Sequence, residues 1–246
     1  MSALDLVQLG LIQATVATHD LAATAALARR ELGLPKGFPD PELDAWGIAN
    51  EVLTLGRTYL EIVAPASETS PLHRFLASGE GGYVVALRVP DTAGLTARAE
   101  KEGVRITHQQ DFQGATITQL HPRELGVLVE ADEIPPGKEW HYDDWETPGS
   151  PGTPLDLLAV DIAVDRPEET AKLWARLFGA ERTTEGVRVG DGLVRFVPVA
   201  DRRGLVAADL RGAPHETGGA REFSLAGVTL RLIPGLIGGA TGKENT

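Results

Sequence analysis

Cysteine is absent from this 246-residue chain. That excludes a disulfide framework, thiolate metal sites, iron–sulfur ligation and a cysteine nucleophile together. Basic residues are in the minority: 23 Lys and Arg against 35 Asp and Glu leave a net charge of −12. A surface that neutralises nucleic-acid or anionic-lipid phosphates is therefore not expected. The opening segment MSALDLVQLGLIQATVATHD has no basic n-region, and no apolar run reaches the roughly 18 residues of a membrane span. The sequence reads as cytoplasmic, with a small molecule as partner and neither nucleic acid nor membrane. Nucleotide and hydrolase signatures are missing as well. GGATGKE near the C-terminus has neither the spacing nor the Ser/Thr of a phosphate-binding loop, and neither G-x-S-x-G nor H-E-x-x-H occurs.

What is present is punctuation: 28 Gly and 16 Pro cut the chain into short pieces. Leu11 to Val16 reads as a strand, Asp20 as a cap, Ala22 to Leu32 as a helix, and Gly33 as its left-handed terminator. Ile48 to Leu55 and Tyr59 to Val63 follow as a hairpin turning at Gly56-Arg57. The phrase then recurs: Val84 to Val89 as a strand, Asp91 as a cap, Thr92 to Glu102 as a helix closed by Gly103, then strands at Arg105 to His108, Ala115 to Leu120 and Val127 to Glu130. Sliding the first unit by 71 residues lays Gln13 on Val84 and Asp20 on Asp91, a tandem βαβββ pattern over residues 9 to 132.

A third copy is offset by 146 residues, which aligns Gln13–Gly33 with Ala159–Gly179 without a gap. Pro167, Glu168 and Glu169 open its helix, and Leu173, Trp174, Leu177 and Phe178 give it an apolar face. Val187 to Val189 and Leu193 to Val197 read as a hairpin, with Gly204 to Leu210 and Val228 to Ile233 as further strands; Arg211 to Ala226 shows no helical pattern. The expected organisation is a domain over 1–132, a Pro-rich linker over 133–154, a degenerate second domain over 155–234 and a flexible tail over 235–246. Trp140, His141, Tyr142 and Trp145 in the linker are expected to pin it to a neighbouring surface.

The phrases IQATVATHDLAATAALARRELGL, TYLEIVAP, VVALRVPD and LHPRELGVLVE, in that order, resemble the vicinal oxygen chelate superfamily of glyoxalases, epimerases, extradiol dioxygenases and bleomycin-resistance proteins. The likeness implies an α+β fold of βαβββ modules that form two half-open mixed β-sheet barrels, the second lacking a helix. It implies a monomer or homodimer and one metal ion held by four strand residues. Position by position those residues are Gln13, Glu61, Val84 and Glu130, so a valine stands where the family has a ligand. His73, His108 and His121 are the imidazoles available to replace it, and Tyr83 sits beside the gap.

Two carboxylates and an amide oxygen are hard donors, suited to Mg, Mn, Fe or Ni, with Zn as a further option. Strand parity places Tyr59, Glu61 and Val63 on one face, and Leu128 with Glu130 on one face. With a metal as Lewis acid, Glu130 is the expected base and Glu61 its companion, for isomerase, epimerase or lyase chemistry beside a carbonyl. The alternative is a metal-free small-molecule binding protein of the bleomycin-resistance type. In the second half the corresponding positions read Ala159, Arg195, Leu205 and Arg231, which excludes a divalent cation there. Arg195 and Arg231 are candidates to hold a substrate anion bidentately or to pair with nearby acids.

Overall fold

A computed structural model describes residues 8–138, 140–144, 155–212 and 221–234. The tail 235–246 and half of the segment 133–154, Trp145 included, lie outside them. In chain order the first half runs β1 (Gly10–Ala17), α1 (Leu21–Leu32), β2 (Ile48–Leu55), β3 (Thr58–Pro65), α2 (Leu72–Leu76), β4 (Gly81–Arg88), α3 (Thr92–Glu102), β5 (Ile106–Phe112), β6 (Ala115–Leu120), α4 (Pro122–Leu125) and β7 (Leu128–Glu133). The second half runs β8 (Leu157–Val164), α5 (Pro167–Phe178), β9 (Glu181–Arg182), β10 (Val187–Val189), β11 (Gly192–Pro198), β12 (Gly204–Gly212), β13 (Arg221–Leu225) and β14 (Val228–Pro234).

Local chemistry sets the helix boundaries. Asp20 accepts a hydrogen bond from the Ala23 amide (3.0 Å) and Asp91 one from the Gly94 amide (2.9 Å), so each satisfies an amide that the first helical turn leaves without a partner. Gly33 closes α1 with φ of 66°, a conformation that costs a side chain energy. Two short helices, α2 and α4, form where no periodicity announced them. In α4 His121 is the cap, its Nδ1 accepting from the Arg123 amide at 3.0 Å, so this histidine is structural. Arg221–Leu225, within the stretch that shows no helical pattern, forms a strand antiparallel to β14.

Each half is an open mixed sheet built on one antiparallel strand pair. In the first, β3 lies parallel to β1, β1 antiparallel to β4, and β4 parallel to β7. In the second, β11 lies parallel to β8, β8 antiparallel to β12, and β12 parallel to β14. The registers correspond: Thr15 pairs with Val84 as Asp161 pairs with Ala207, and Ala86 pairs with Glu130 as Asp209 pairs with Arg231. Ala207, not Leu205, is thus the counterpart of Val84: the same one-residue bulge interrupts both pairings, between Val84 and Gly82 opposite β1 and between Ala207 and Leu205 opposite β8, and it sets Leu205 at the place of Gly82.

The halves share a sheet through Leu205 and Gly82, and one apolar cluster runs across both, from Leu11 and Leu125 to Ile162 and Trp174. Their contact is close at glycine. A Cβ on Gly82 would lie 2.3 Å from that of Leu205, and one on Gly126, whose φ is +87°, would lie 2.4 Å from Cγ1 of Val164. Adding that methyl as Gly126→Ala combines overpacking with a left-handed backbone, and the expected loss is about 3 kcal/mol in urea denaturation. A loss below about 1 kcal/mol would show that the seam yields.

Candidate functional site

The helices cover one face of the first half's sheet and leave the other concave. Parity decides which side chains enter the hollow. Leu60, Ile62, Val129 and Ala131 pack into the helix-side core, so Glu61, Glu130 and Asp132 face the opposite way. Gln13 and Thr15 join them from β1, and a cavity of about 580 Å³ opens between these strands. Gln13, Glu61 and Glu130, which the sequence nominates, all line that one cavity. They enter from different sides, since β3 and β7 flank the central β1–β4 pair.

Glu61 is buried, 5 % exposed, and among the described residues it forms no ion pair with a basic side chain. Its Oε2 accepts from Gln13 Nε2 (3.0 Å) and Thr15 Oγ1 (2.9 Å), and its Oε1 from Asn50 Nδ2 (2.9 Å). Desolvation outweighs these bonds and raises its pKa to about 7, with the Asp40 and Glu130 charges pushing the same way. Glu130 accepts from Gln119 Nε2 at 2.9 Å. Burial, reinforced by the charge of Asp132, raises it to about 8. Glu42, on the 3₁₀ turn Pro41–Trp46, is raised to about 7 by burial and Asp40. Several carboxyl groups therefore share a hollow that holds them close to neutrality.

The segment Trp140–Asp144 both pins and lines. Tyr142 packs edge-on against Phe38 and Tyr59, at centroid distances of 5.1 and 5.0 Å, and its hydroxyl donates to Asp40 Oδ2 (3.2 Å). His141 Nε2 lies 2.8 Å from Oδ2 of fully buried Asp132. Both residues border the cavity. Of the other histidines, His73 is tied to the Ser67 carbonyl (2.9 Å), while His108 lines the cavity wall against Trp46. Val84 borders the cavity beside Tyr83 and supplies no donor.

The residues that sequence reasoning missed are Asp40, Glu42, Asn50, Gln119 and Asp132. Asp132 shares the parity of Glu130, and Asn50 sits opposite Val63 on β2, so strand alternation carried a signal for both. Asp40 and Glu42 arrive on a proline-rich loop, which has no periodicity to read.

A divalent cation, which the superfamily resemblance implies, fits the donors that are present. Gln13 Oε1 is buried without a hydrogen-bond partner among the described residues, and it stands on the side chain that already contacts Glu61. Together with Glu61 and Glu130 it makes an all-oxygen set, which matches a hard ion such as Mg or Mn. Among the described residues no three His, Asp or Glu side chains are grouped so as to hold an ion, and the set offered here includes the amide oxygen.

At the corresponding positions of the second half the side chains form an ion-pair network. Arg195 donates to Asp161 (2.5 Å) and Asp209 (2.7 Å), and Arg231 donates to Asp209 (2.5 Å) and Asp161 (2.7 Å). Of the two roles open to these arginines, an anion site or pairing with acids, the structure contains the pairing. Each arginine is thus shared between the two aspartates.

Comparison with known proteins agrees with this architecture. A family model described as a glyoxalase-like domain matches residues 14–178. The ethylmalonyl-CoA/methylmalonyl-CoA epimerase of Cereibacter sphaeroides is 30% identical over 126 residues, which are 48% of this chain and 93% of that protein. The mitochondrial methylmalonyl-CoA epimerase of Bos taurus is 29% identical over 124 residues, covering 48% of this chain and 70% of its own. A crystal structure of a hypothetical protein from Staphylococcus aureus superposes with a TM-score of 0.64 over 92% of this chain and 99% of that one; at 10% identity this is a likeness of fold alone. The chain belongs to the glyoxalase-like domain family, within the vicinal oxygen chelate superfamily.

Proposed function

We propose that the first half moves a proton at a carbon next to a carbonyl, as an epimerase or isomerase, with Glu130 as the base and Glu61 as its counterpart. The observation that carries this reading is the pair of carboxyl groups, raised to about 8 and about 7, that reach one cavity from strands on either side of β1 and β4. Near pH 7 such a pair is singly protonated, with the proton favouring Glu130 and the vacancy Glu61, and the exchanged state, with Glu130 ionised as the base, serves the opposite configuration of the substrate carbon. Gln119 orients Glu130; Gln13, Thr15 and Asn50 orient Glu61. A divalent ion held by Gln13, Glu61 and Glu130 would supply Lewis-acid polarisation of the substrate carbonyl. The relatives' names point to malonyl-type thioesters, whose carbon between two carbonyl groups is acidic, as the substrates to try first.

Incubation with methylmalonyl-CoA in deuterium oxide tests the reading. The expected result is deuterium at the carbon between the two carbonyls, followed by NMR. No incorporation above the buffer rate with this substrate or ethylmalonyl-CoA, with divalent ion supplied, would overturn it. A second reading, a metal-free binding protein, is favoured by Val84 and by the three hydrogen bonds already made to Glu61.

The raised carboxyls also predict a pH dependence of stability. Burial lifts Glu130 from 4.5 to about 8, so the folded chain keeps this proton after the unfolded chain has released it. The stability that it contributes is complete below pH 4.5 and is lost as pH rises towards 8. The melting temperature of metal-free protein is therefore expected to fall from pH 5 to pH 8 more steeply in the wild type than in Glu130→Gln. Added Mn should raise it more at pH 8 than at pH 5.

A further inference from the structure

An acidic hollow repels an anionic substrate, so a cavity built for one needs a positive charge at the point where the anion sits. Arg74 and Arg203 are the arginines that line this cavity. Arg203 is paired with Asp165. Arg74, exposed on α2, makes no hydrogen bond or ion pair among the described residues. Beside it Tyr83 packs edge-on against Phe75 with ring centroids 5.0 Å apart, and its hydroxyl also makes no hydrogen bond among the described residues. The Tyr83 hydroxyl feels the Arg74 charge as well as those of Glu61 and Glu130, and all four residues line the same cavity. Arg202 lies 4.8 Å from the Phe75 ring centroid and donates to the Gly79 carbonyl (2.9 Å), so the second half braces the segment that carries Arg74.

We propose that Arg74 and Tyr83 form the subsite that recognises a carboxylate of the substrate and so set its charge and orientation in the cavity. A guanidinium and a phenol supply several N–H and O–H donors, a set that suits a carboxylate monoanion. The assignment rests on the proton-transfer reading for its place in the reaction, but the binding that it describes is measurable alone.

Trp46, which is 48% exposed and lines the cavity, serves as the fluorescent reporter, with Trp46→Phe as the blank. The probes are the monomethyl and dimethyl esters of methylmalonate and inorganic phosphate. Wild type is expected to bind the half-ester about tenfold more tightly than the diester, the range of one charge-assisted contact. Arg74→Gln should erase that preference and leave diester binding unchanged. Arg74→Lys should keep part of it, and Tyr83→Phe should weaken half-ester binding by a few fold. Half-ester affinity unchanged in Arg74→Gln, or no preference for the half-ester in wild type, overturns the subsite; phosphate binding as tightly as the half-ester overturns its assignment to a carboxylate. Deuterium exchange run on the same proteins separates the two readings. Lost preference in Arg74→Gln without exchange in wild type sinks the proton-transfer reading and keeps the subsite, whereas exchange with preference intact in Arg74→Gln does the reverse.

Discussion

Glu130→Gln is expected to lower the rate of deuterium incorporation into methylmalonyl-CoA by about 10²–10⁴-fold, the range associated with a positioned acid–base group. The variant keeps the size of the side chain and its ability to hydrogen-bond, and removes both its ability to take a proton and the negative charge that it would offer a divalent ion. Gln119, which donates to Glu130, can donate to the new amide oxygen instead. Folding should therefore survive, and at pH 8 the variant should melt no lower than the wild type, because a neutral amide avoids the desolvation that raises Glu130 to about 8. Glu61→Gln should show a loss of similar kind. Exchange within threefold of the wild type in both variants would remove these residues from the chemistry and turn attention to Asp40, Glu42 and His141 among the other titratable groups that line the cavity.

Asp161→Ala in the second half is expected to cost about 3 kcal/mol, measured by chemical denaturation, because breaking an ion-pair network leaves charge uncompensated. Each arginine forks across both aspartates, so deleting one acid leaves Arg195 and Arg231 competing for Asp209. The aspartate side chains are 12% and 11% exposed and the arginines 27% and 30%, so solvent recovers part of the cost. The double change Asp161→Ala with Arg195→Met should be less harmful than the sum of the two alone, since it removes charge in matched amounts. Single and double changes that add independently would mean that the network is only apparent.

The course of the first half is legible because helix ends and strand alternation are local properties. Asp20, Asp91, Gly33 and Gly103 mark their helices by residue type alone, and the inward parity of Glu61 and Glu130 follows from the alternation of TYLEIVAP and VLVE. Equivalence between distant strands is less local. Leu205 is the counterpart of Val84 by alignment, whereas pairing with β8 gives that place to Ala207 and sets Leu205 at the place of Gly82, an equivalence that only the strand partner reveals. Helices α2 and α4 span five and four residues, too few for an apolar period to repeat. The pairing of Arg195 and Arg231 depends on Asp161 and Asp209. Asp161 occupies the place of Thr15 under the 146-residue offset, so the exchange of a hydroxyl for an acid next to the exchange of Glu61 for Arg195 was visible as a charge reversal, while its closure into a ring was not. His141 and Tyr142 stood out by composition, yet only the folded chain shows that the residues that tether the segment also furnish the cavity wall.

The apolar cluster that passes without a break from Leu11 and Leu125 to Ile162 and Trp174 bears on how this protein can be dissected. Severing the chain between the halves would strip Val164 and Ile162 from Gly126 and leave oily surface on both fragments, the condition under which isolated pieces stick to one another. It would also delete Arg203 and Gly204 from the cavity rim. The portion that has exchanged acids for arginines is thus no dispensable appendage: truncated expression of the acid-bearing portion should yield insoluble material rather than a minimal catalyst.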